Sequence, residues 1–383
     1  MNTPKIRFKG FEDDWEQRKV SDLLQERNEQ APRSEEYPLM AFIADQGVAP
    51  KGERYDRSAL VNDENGKKYK RTEYGDFIYS SNNLETGSIG LNKYGNASIS
   101  PVYSIFKRTS NVDLDFLGRR FLRKDFINEM VKWRQGVVYG QWKIHESDFL
   151  KINVVVPSIE EQKRIGHCFE KLDHLITLHQ RKCDETKQLK KFMLQKMFPK
   201  NGEKNPEIRF EGFTDDWEQR KLGDVAQEFK SGNSLKADEI DITGDYPVYG
   251  GNGLRGYTST YNHDGEYALI GRQGALCGNM NYSAGKAYFT EHAVVVKADE
   301  NNDTRFLYYM LDRMNLGQYS DQSAQPGLAV NKLVKLENSF PKKEEQQQIG
   351  TYFRSLDHLI TLHQRKCEKL KELKKFMLQN MFV

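Results

Sequence analysis

A short segment in the second half of the chain has residue types suited to reading DNA bases. Arg272 and Gln273 lie between two glycines, Gly271 and Gly274. In the major groove, arginine donates to O6 and N7 of guanine, and glutamine pairs with N6 and N7 of adenine. The flanking glycines would let the backbone approach a base closely. The segment is therefore a candidate base-reading turn, although an ordinary tight turn has the same composition.

Other polar residues extend this candidate DNA surface into both halves of the chain. Ser81, Asn82 and Asn83 align with the Arg272–Gln273 turn and would form a different reader. A basic run could contact phosphates or be a solvated loop: Lys67, Lys68, Lys70 and Arg71. Further candidates carry amide, guanidinium or phenol groups that can donate to DNA: Arg134, Gln135, Tyr139, Tyr249, Asn252, Arg255, Gln322 and Gln325.

The sequence lacks several motifs that carry catalysis. It has no GxxxxGK[ST] phosphate loop, no HExxH zinc motif and no (N/D)PP(Y/F) motif of amino-methyltransferases. Glu161, Gln162 and Lys163 have the ExK spacing of a nuclease site. They lie on an amphipathic segment without the preceding Pro-Asp, so we expect them on a solvated helix face. We therefore expect no catalytic residue in this chain.

Histidine and cysteine spacing gives no sign of a metal site. His174 and His179 are five residues apart, which places them about 140° apart around a helix, and His358 and His363 repeat this spacing. Two side chains so placed on one helix cannot both coordinate one metal ion well, so we expect structural roles for these histidines. The four cysteines include no CxxC pair. We therefore expect no bound metal.

The chain is a diverged tandem repeat. Its heads, Pro4–Lys19 and Pro206–Lys221, are nearly identical, and the segment LDHLITLHQRKC occurs at both Leu172–Cys183 and Leu356–Cys367. The segments between head and tail differ. The repeated parts indicate one structural role performed twice. The different middles indicate two ligands, or two versions of one ligand, because binding surfaces vary over a constant scaffold.

Each tail predicts a long helix with an apolar seam of coiled-coil type. Pro157 and Pro341 stand at the start, where proline is tolerated. Because two matching seams occur in one chain, packing the two tails against each other is the simplest way to bury them, and antiparallel pairing would make the molecule pseudo-two-fold. A second apolar face could complete the core or receive helices of partner subunits. We expect helix–helix and subunit docking through the seam residues Ile165, Phe169, Leu172, Ile176, Ile349, Phe353, Leu356 and Ile360.

The heads and middles complete a mixed fold. An acidic run precedes Trp15 and Trp217, which predicts a helix N-terminus beside a small aromatic core. Base stacking is the alternative role for these tryptophans. Both middles mix short strands with helical patterns, around Leu114–Trp133 and Thr304–Leu316. The fold class is therefore α+β, with two α/β domains in a pseudo-two-fold arrangement, separated by two long helices packed as an antiparallel coiled coil.

Composition sets outer limits on function. No apolar run approaches the roughly 18 residues that a membrane span requires, and no signal peptide is visible, so we expect a cytoplasmic protein without membrane contact. The formal net charge of +3 is too mild to indicate nucleic-acid binding by itself.

With these features combined, the chain resembles the specificity subunit of a type I restriction-modification system. The resemblance rests on two variable domains alternating with two near-identical helical tails. It also rests on a P-x-x-EEQ motif at the start of each tail: Pro157, Glu160, Glu161, Gln162, Pro341, Glu344, Glu345 and Gln346. The first domain lacks the Gly-Arg-Gln-Gly turn common in such domains. The resemblance implies target-recognition domains at 1–156 and 201–340, and helical spacers at 157–200 and 341–383.

The resemblance also implies a mechanism and a set of partners. Each recognition domain would read one half of a bipartite site in double-stranded DNA, with the helices as a ruler. The helices would dock two modification subunits, which use S-adenosylmethionine to methylate adenine. Restriction subunits that use ATP and Mg would join for cleavage. The chain itself would bind no cofactor. The alternatives are a stand-alone nuclease or methyltransferase, and a non-catalytic helical scaffold that bridges proteins without reading DNA.

Overall fold

Two long helices dominate the computed structural model, which describes residues 3–44, 46–50, 67–137, 141–200, 202–320 and 327–383. Both long helices have 38 residues. No helix in these ranges is long and apolar enough to cross a membrane. The helices in chain order are α1 Val20–Leu23, α2 Leu114–Phe121, α3 Lys124–Val131, α4 Glu146–Phe149, α5 Ile159–Lys196, α6 Thr304–Arg313, α7 Val330–Leu333 and α8 Lys343–Asn380.

The chain divides into two compact units, and the division falls inside both long helices. Unit 1 comprises Met1–Leu178 and Cys367–Val383, and unit 2 comprises His179–Lys366. Each unit therefore contains one α/β domain together with a stretch of both α5 and α8. The predicted α+β fold class is confirmed.

Unit 1 contains several small sheets. The largest has the strand order β2–β10–β7–β8, and a second has the order β3–β6–β9. The described residues of this unit also form three two-stranded pairs: β1–β13, β4–β5 and β11–β12. The strands are β1 Glu16–Lys19, β2 Leu24–Glu26, β3 Gln30–Ala31, β4 Ala41–Ile43, β5 Gly47–Ala49, β6 Tyr69–Thr72, β7 Phe77–Tyr79, β8 Ile89–Leu91, β9 Ala97–Ile99, β10 Ser104–Arg108, β11 Gln135–Val137, β12 Gln141–Lys143 and β13 Asn153–Val156.

Unit 2 is built around one six-stranded sheet of order β15–β20–β18–β19–β16–β17. Neighbouring strands of this sheet are antiparallel, except that β16 and β19 are parallel. A separate pair, β14–β21, joins the head to the strand before α8. The strands are β14 Glu218–Lys221, β15 Ala226–Ser231, β16 Tyr246–Gly250, β17 Gly253–Thr258, β18 His263–Gly271, β19 Met280–Phe289, β20 Ala293–Ala298 and β21 Glu337–Phe340.

Within unit 2 the long helices run antiparallel. His179 of α5 contacts His363 of α8, and further along α5 the Nζ atom of Lys190 lies 2.7 Å from Oδ1 of Asp357. The residue number thus rises along α5 while it falls along α8. In unit 1 the same repeated positions pair in the same sense, because Asp173 of α5 forms an ion pair with Lys374 of α8. The predicted antiparallel packing is confirmed.

The first part of each seam packs into an α/β domain. Ile165, Phe169 and Leu172 belong to the core of unit 1, and the corresponding residues of α8 belong to the core of unit 2. They are buried inside the chain, so our assignment of them to subunit docking is wrong. The cause is that the α/β domain and the end of the opposite helix together cover the first turns. The residues corrected in this way are Ile165, Phe169, Leu172, Ile349, Phe353 and Leu356; Ile176 and Ile360 are half-buried.

The heads form strands where the sequence predicted a helix N-terminus. Glu16–Lys19 pairs antiparallel with Asn153–Val156, so the polar strand covers the edge of an apolar one. The backbone hydrogen bonds that Asn153–Val156 needs explain why the helix prediction is wrong. The predicted burial of the tryptophans is confirmed, because Trp15 is 2% exposed and Trp217 is 3% exposed.

Each core also receives the end of a long helix. In unit 1, the ring of Phe382 lies 6.4 Å from that of Trp15 and 5.5 Å from that of Phe116. In unit 2, Phe198 makes the equivalent contacts with Trp217 and Phe306, at 6.1 Å and 5.4 Å. The head of unit 1 thus packs against the end of α8, and the head of unit 2 against the end of α5.

Candidate nucleic-acid interface

The EEQ motif fixes the first α/β domain to α5. Glu161 is 1% exposed and accepts hydrogen bonds of 2.7 and 2.8 Å from Nε and Nη2 of Arg7. Gln162 accepts from the backbone N–H of Asp113, and Asp113 in turn caps α2 by accepting from the N–H of Phe116. Our expectation of a solvated face is therefore wrong for Glu161 and Gln162, because both close the joint between the domain and its helix.

The same joint occurs in unit 2. Glu345, also 1% exposed, accepts two 2.8 Å hydrogen bonds from Arg209. Gln346 accepts from the N–H of Asp303, which caps α6 by accepting from the N–H of Phe306. The repeated motif thus supports each variable domain in the same way, while the loops of the two domains are free to differ.

In unit 2, three turns bring polar side chains together around one cavity. The turns are the β16–β17 turn at 251–252, the segment 272–274 after β18, and the segment 290–292 between β19 and β20. The cavity has a volume of about 290 Å³. Its lining includes three of the predicted DNA-contact residues and two others: Asn252, Arg255, Gln273, Gly251 and His292.

The glycines of these turns serve the packing of the turns on each other. A Cβ atom on Gly271 would lie 2.4 Å from the carbonyl oxygen of Gly251, and one on Gly251 would lie 2.9 Å from that of His292. Our explanation that Gly271 lets the backbone approach DNA is therefore replaced by an internal cause. Gly274 has φ of +82° with open space around it, as a turn requires.

His292 is a cavity residue that the sequence reasoning missed. Its carbonyl oxygen accepts a 2.9 Å hydrogen bond from the N–H of Arg272, and its imidazole is 46% exposed. Arg272 itself is half-buried, with Nη1 3.5 Å from the carbonyl oxygen of Glu291. A lone histidine between two strand patterns gave no usable signal, because its neighbours in the cavity come from distant segments.

One further predicted contact of unit 2, Tyr249, does not line this cavity. Tyr249 is half-buried, and its ring lies 6.1 Å from that of Phe289 beside a small apolar cluster, so its role as a DNA contact stays a prediction. Three other candidates lie outside the described residues: Tyr139, Gln322 and Gln325.

Two predicted readers of unit 1 are occupied by internal contacts. Ser81 is buried and accepts a 3.0 Å hydrogen bond from the N–H of Ile144. Arg134 is bound by both carboxylate oxygens of Glu85, at 2.8 and 2.7 Å, and its hydrogen bonds lower the pKa of Glu85. Only 11% of the Arg134 side chain is exposed. We therefore withdraw Ser81 and Arg134 as base readers.

The other polar candidates of unit 1 remain accessible. Asn82 is exposed, and its Oδ1 accepts a 2.6 Å hydrogen bond from the N–H of Trp142 on the β11–β12 hairpin. Asn83 and Gln135 are exposed as well. Trp142 is 49% exposed beside them. Amide groups and an indole therefore line the exposed side of this hairpin, in place of the guanidinium and imidazole of unit 2.

The basic run divides into buried and exposed members. Lys70 is 7% exposed, with Nζ 3.9 Å from Oε1 of Glu146, so our assignment of it as a phosphate contact is wrong. The Nη1 atom of Arg71 forms a 2.8 Å ion pair with Oε1 of Glu29. Lys70 is buried on one face of β6, whereas the guanidinium of Arg71 is held by Glu29 and lies 4.5 Å from the centre of the Tyr37 ring. The two members before that strand are exposed: Lys67 and Lys68.

The described residues contain no group of three or more side chains that could hold a metal ion. They do contain one close histidine pair, in which the Nδ1 atoms of His179 and His363 are 3.0 Å apart. Partial burial, and then the neighbouring His363, lower the pKa of His179. The sequence reasoning considered pairs on a single helix and so missed this contact between helices.

Comparison with known proteins agrees with this architecture. The family model for the type I restriction modification DNA specificity domain matches the chain twice, over residues 12–188 and 214–372. The EcoprrI specificity subunit of Escherichia coli is 50% identical over 114 residues, which are 30% of this chain and 28% of that protein. A putative specificity subunit of Haemophilus influenzae is 27% identical over 39% of each chain. These alignments thus span less than half of either relative.

Two further similarities extend over nearly the whole chain. The MjaVIII specificity subunit of Methanocaldococcus jannaschii is 23% identical over 95% of this chain and 91% of that protein. The crystal structure of a type I restriction-modification S subunit from M. genitalium has a TM-score of 0.67 over 100% of this chain and 99% of that one, at 16% identity. At that identity the likeness concerns the fold. Because the two domain matches together cover most of its residues, the chain belongs to the family of type I restriction-modification specificity subunits.

Proposed function

We propose that this chain selects the DNA target of a type I restriction-modification complex, each α/β domain reading one half of a bipartite site. The observation that carries the proposal is that both halves match the DNA specificity domain, while their exposed loops differ in chemistry. Unit 2 offers Arg255, Gln273 and His292, whereas unit 1 offers Asn82 and Asn83. Different donor and acceptor sets select different base pairs.

The long helices would set the spacing between half-sites and dock the modification subunits. In support, both helices expose large apolar side chains at repeated positions, and exposed apolar patches mark interaction sites. Identical patches in the two units suit two copies of one partner. The exposed residues are Leu175, Leu373 and Phe376 in unit 1, and Leu359, Leu189 and Phe192 in unit 2.

The chemistry would belong to the partners. Modification subunits would use S-adenosylmethionine and flip the target adenine out of the duplex, as base-modifying enzymes must. Restriction subunits would use ATP and Mg to cleave unmodified DNA. This chain would bind no cofactor and perform no catalytic step. Its function requires access to the chromosome, and hence a cytoplasmic location.

Mapping adenine methylation across a genome tests the proposal. Cells that carry the chain with its modification and restriction subunits would be compared with cells that lack only this chain. We expect methylation at one split motif, with two defined halves and a fixed unread spacer, and its loss in the deletion. The exposed apolar faces of the helices would equally suit a scaffold. Methylation that is unchanged by the deletion would favour the scaffold and reject the proposed function.

A further inference from the structure

A β-bulge places Arg255 in the lining of the unit 2 cavity. In the β16–β17 hairpin, Val248 pairs with Gly256 and Tyr249 pairs with Leu254, so Arg255 is an extra residue without a cross-strand partner. Bulges bend a strand locally and re-aim a side chain, and they are frequent next to functional sites. Arg255 lines the cavity together with Gln273 and His292, although in sequence it is far from both.

A glycine close to the bulge, Gly250, makes room for the arginine. A Cβ atom on Gly250 would lie 2.6 Å from Cδ and 3.4 Å from Cγ of Arg255, so the aliphatic stem lies across the glycine. Arg255 is exposed, and no ion pair among the described residues includes it. This differs from Arg134 in unit 1, whose guanidinium is held by Glu85. The stem of Arg255 is thus positioned by the fold, while its guanidinium has no ion-pair partner among the described residues.

We propose that Arg255 reads a guanine in the major groove of the half-site bound by unit 2. The inference rests on the proposed function. A guanidinium only donates hydrogen bonds, and guanine presents two adjacent acceptors, O6 and N7, in the major groove. A two-stranded β-ribbon fits that groove. The β16–β17 hairpin is such a ribbon, and β17 is the edge strand of its sheet.

The alternative role for an exposed arginine is a phosphate contact, which positions a protein without reading sequence. Two observations favour base reading. The bulge turns Arg255 toward a concave site, where the amides of Asn252 and Gln273 are also within the lining. The bare backbone of Gly250 fixes the direction of the stem, which matters for a bidentate contact more than for attraction to a phosphate.

The test uses the complete modification complex and the split motif found by methylation mapping. Binding is measured by fluorescence anisotropy on duplexes that carry each base-pair substitution in turn. We expect Arg255→Ala to lose discrimination at one G·C position of one half-site, by about 5- to 150-fold, with the other half-site unchanged. Gly250→Ala keeps the charge but displaces the stem, so it should lose discrimination at the same position.

Guanine analogues at that position distinguish a contact in the major groove from a contact in the minor groove. Replacement by 7-deazaguanine removes N7 and should weaken binding of the wild-type complex but not of the Arg255→Ala complex. Hypoxanthine keeps O6 and N7 and should bind normally.

Three results would overturn the inference. The first is that Arg255→Ala weakens binding equally for every duplex and makes the salt dependence of binding shallower. The second is that Arg255→Ala loses base discrimination at an A·T position. The third is that the Gly250→Ala complex keeps full base discrimination. If the wild-type complex methylates no split motif, the proposed function fails and the inference falls with it.

Discussion

Replacing Glu345 by alanine tests the contact that fixes the second α/β domain to α8. Both oxygens of Glu345 accept 2.8 Å hydrogen bonds from Arg209, and the carboxylate side chain is 1% exposed. Breaking a buried ion pair costs about 3–5 kcal/mol, because the remaining charge stays buried without compensation. Arg209 would keep its hydrogen bonds to Asn205 and to the carbonyl of Asp215, and it is 15% exposed. We therefore expect a smaller cost, about 2–3 kcal/mol.

Native-state hydrogen exchange measures this cost locally, because it reports the free energy of opening for each segment. We expect the Glu345→Ala chain to lose protection in the head of unit 2, residues 206–221, and in the first turns of α8. Glu344→Ala is the matched control, since Glu344 is adjacent and exposed, and it should change stability by less than about 0.5 kcal/mol. Equal effects of the two substitutions would refute the assignment of the motif as a buried clamp.

Three further predictions concern the core, the helix pair and the basic run. Phe198→Ala should destabilise unit 2 by about 3–5 kcal/mol in chemical denaturation, because it leaves a cavity among aromatic rings. The pKa of His179 is lower in the folded chain than the 6.5 that is usual for histidine, which means that protonation of His179 destabilises the folded pair. The stability that the neutral pair contributes should therefore be lost as the pH falls below 6.5. We expect a lower melting temperature at pH 5.5 than at pH 7.5, and a flatter profile in His363→Asn. Replacing Lys67 and Lys68 by alanine should weaken DNA binding and reduce the salt slope by about 0.9 per lysine.

Each of these predictions has a control within the chain. Phe192 is 48% exposed, so its replacement by alanine should cost far less than that of Phe198. His358→Asn lies on the same helix as His363 and is exposed, so it should leave the pH profile unchanged. Lys70→Ala should leave the salt slope unchanged, since Lys70 is buried beside Glu146. A control that behaves like its test variant would contradict the corresponding argument.

The repeat and the heptad spacing were enough to predict the long antiparallel helices, because periodicity is a local property of sequence. The same spacing could not say what covers each seam. Ile165 and Phe169 follow the heptad, yet they pack into a domain core that is assembled from distant segments. The head was misjudged for a similar reason, since the partner of Glu16–Lys19 is a strand far along the chain.

The candidate interface shows the same limit more sharply. Composition identified Asn252, Arg255 and Gln273 as possible DNA contacts, and the fold brings these three to one cavity. Composition could not identify Ser81 or Lys70 as buried, because their burial depends on pairing with segments that are distant in the sequence. It also missed His292, which reaches the site only through the turn between two strands of the central sheet.

The packing of the end of α8 into the core of unit 1 has a consequence for the order in which the chain folds. The residues of unit 2 are contiguous, whereas unit 1 takes the end of α8 and the ring of Phe382 into the core around Trp15. During synthesis, every residue of unit 2 therefore leaves the ribosome before unit 1 has its full core. The domain that is translated first must wait for the end of α8. Until then the site beside Trp15 that Phe382 fills exposes apolar surface, which a chaperone or a partner subunit would cover.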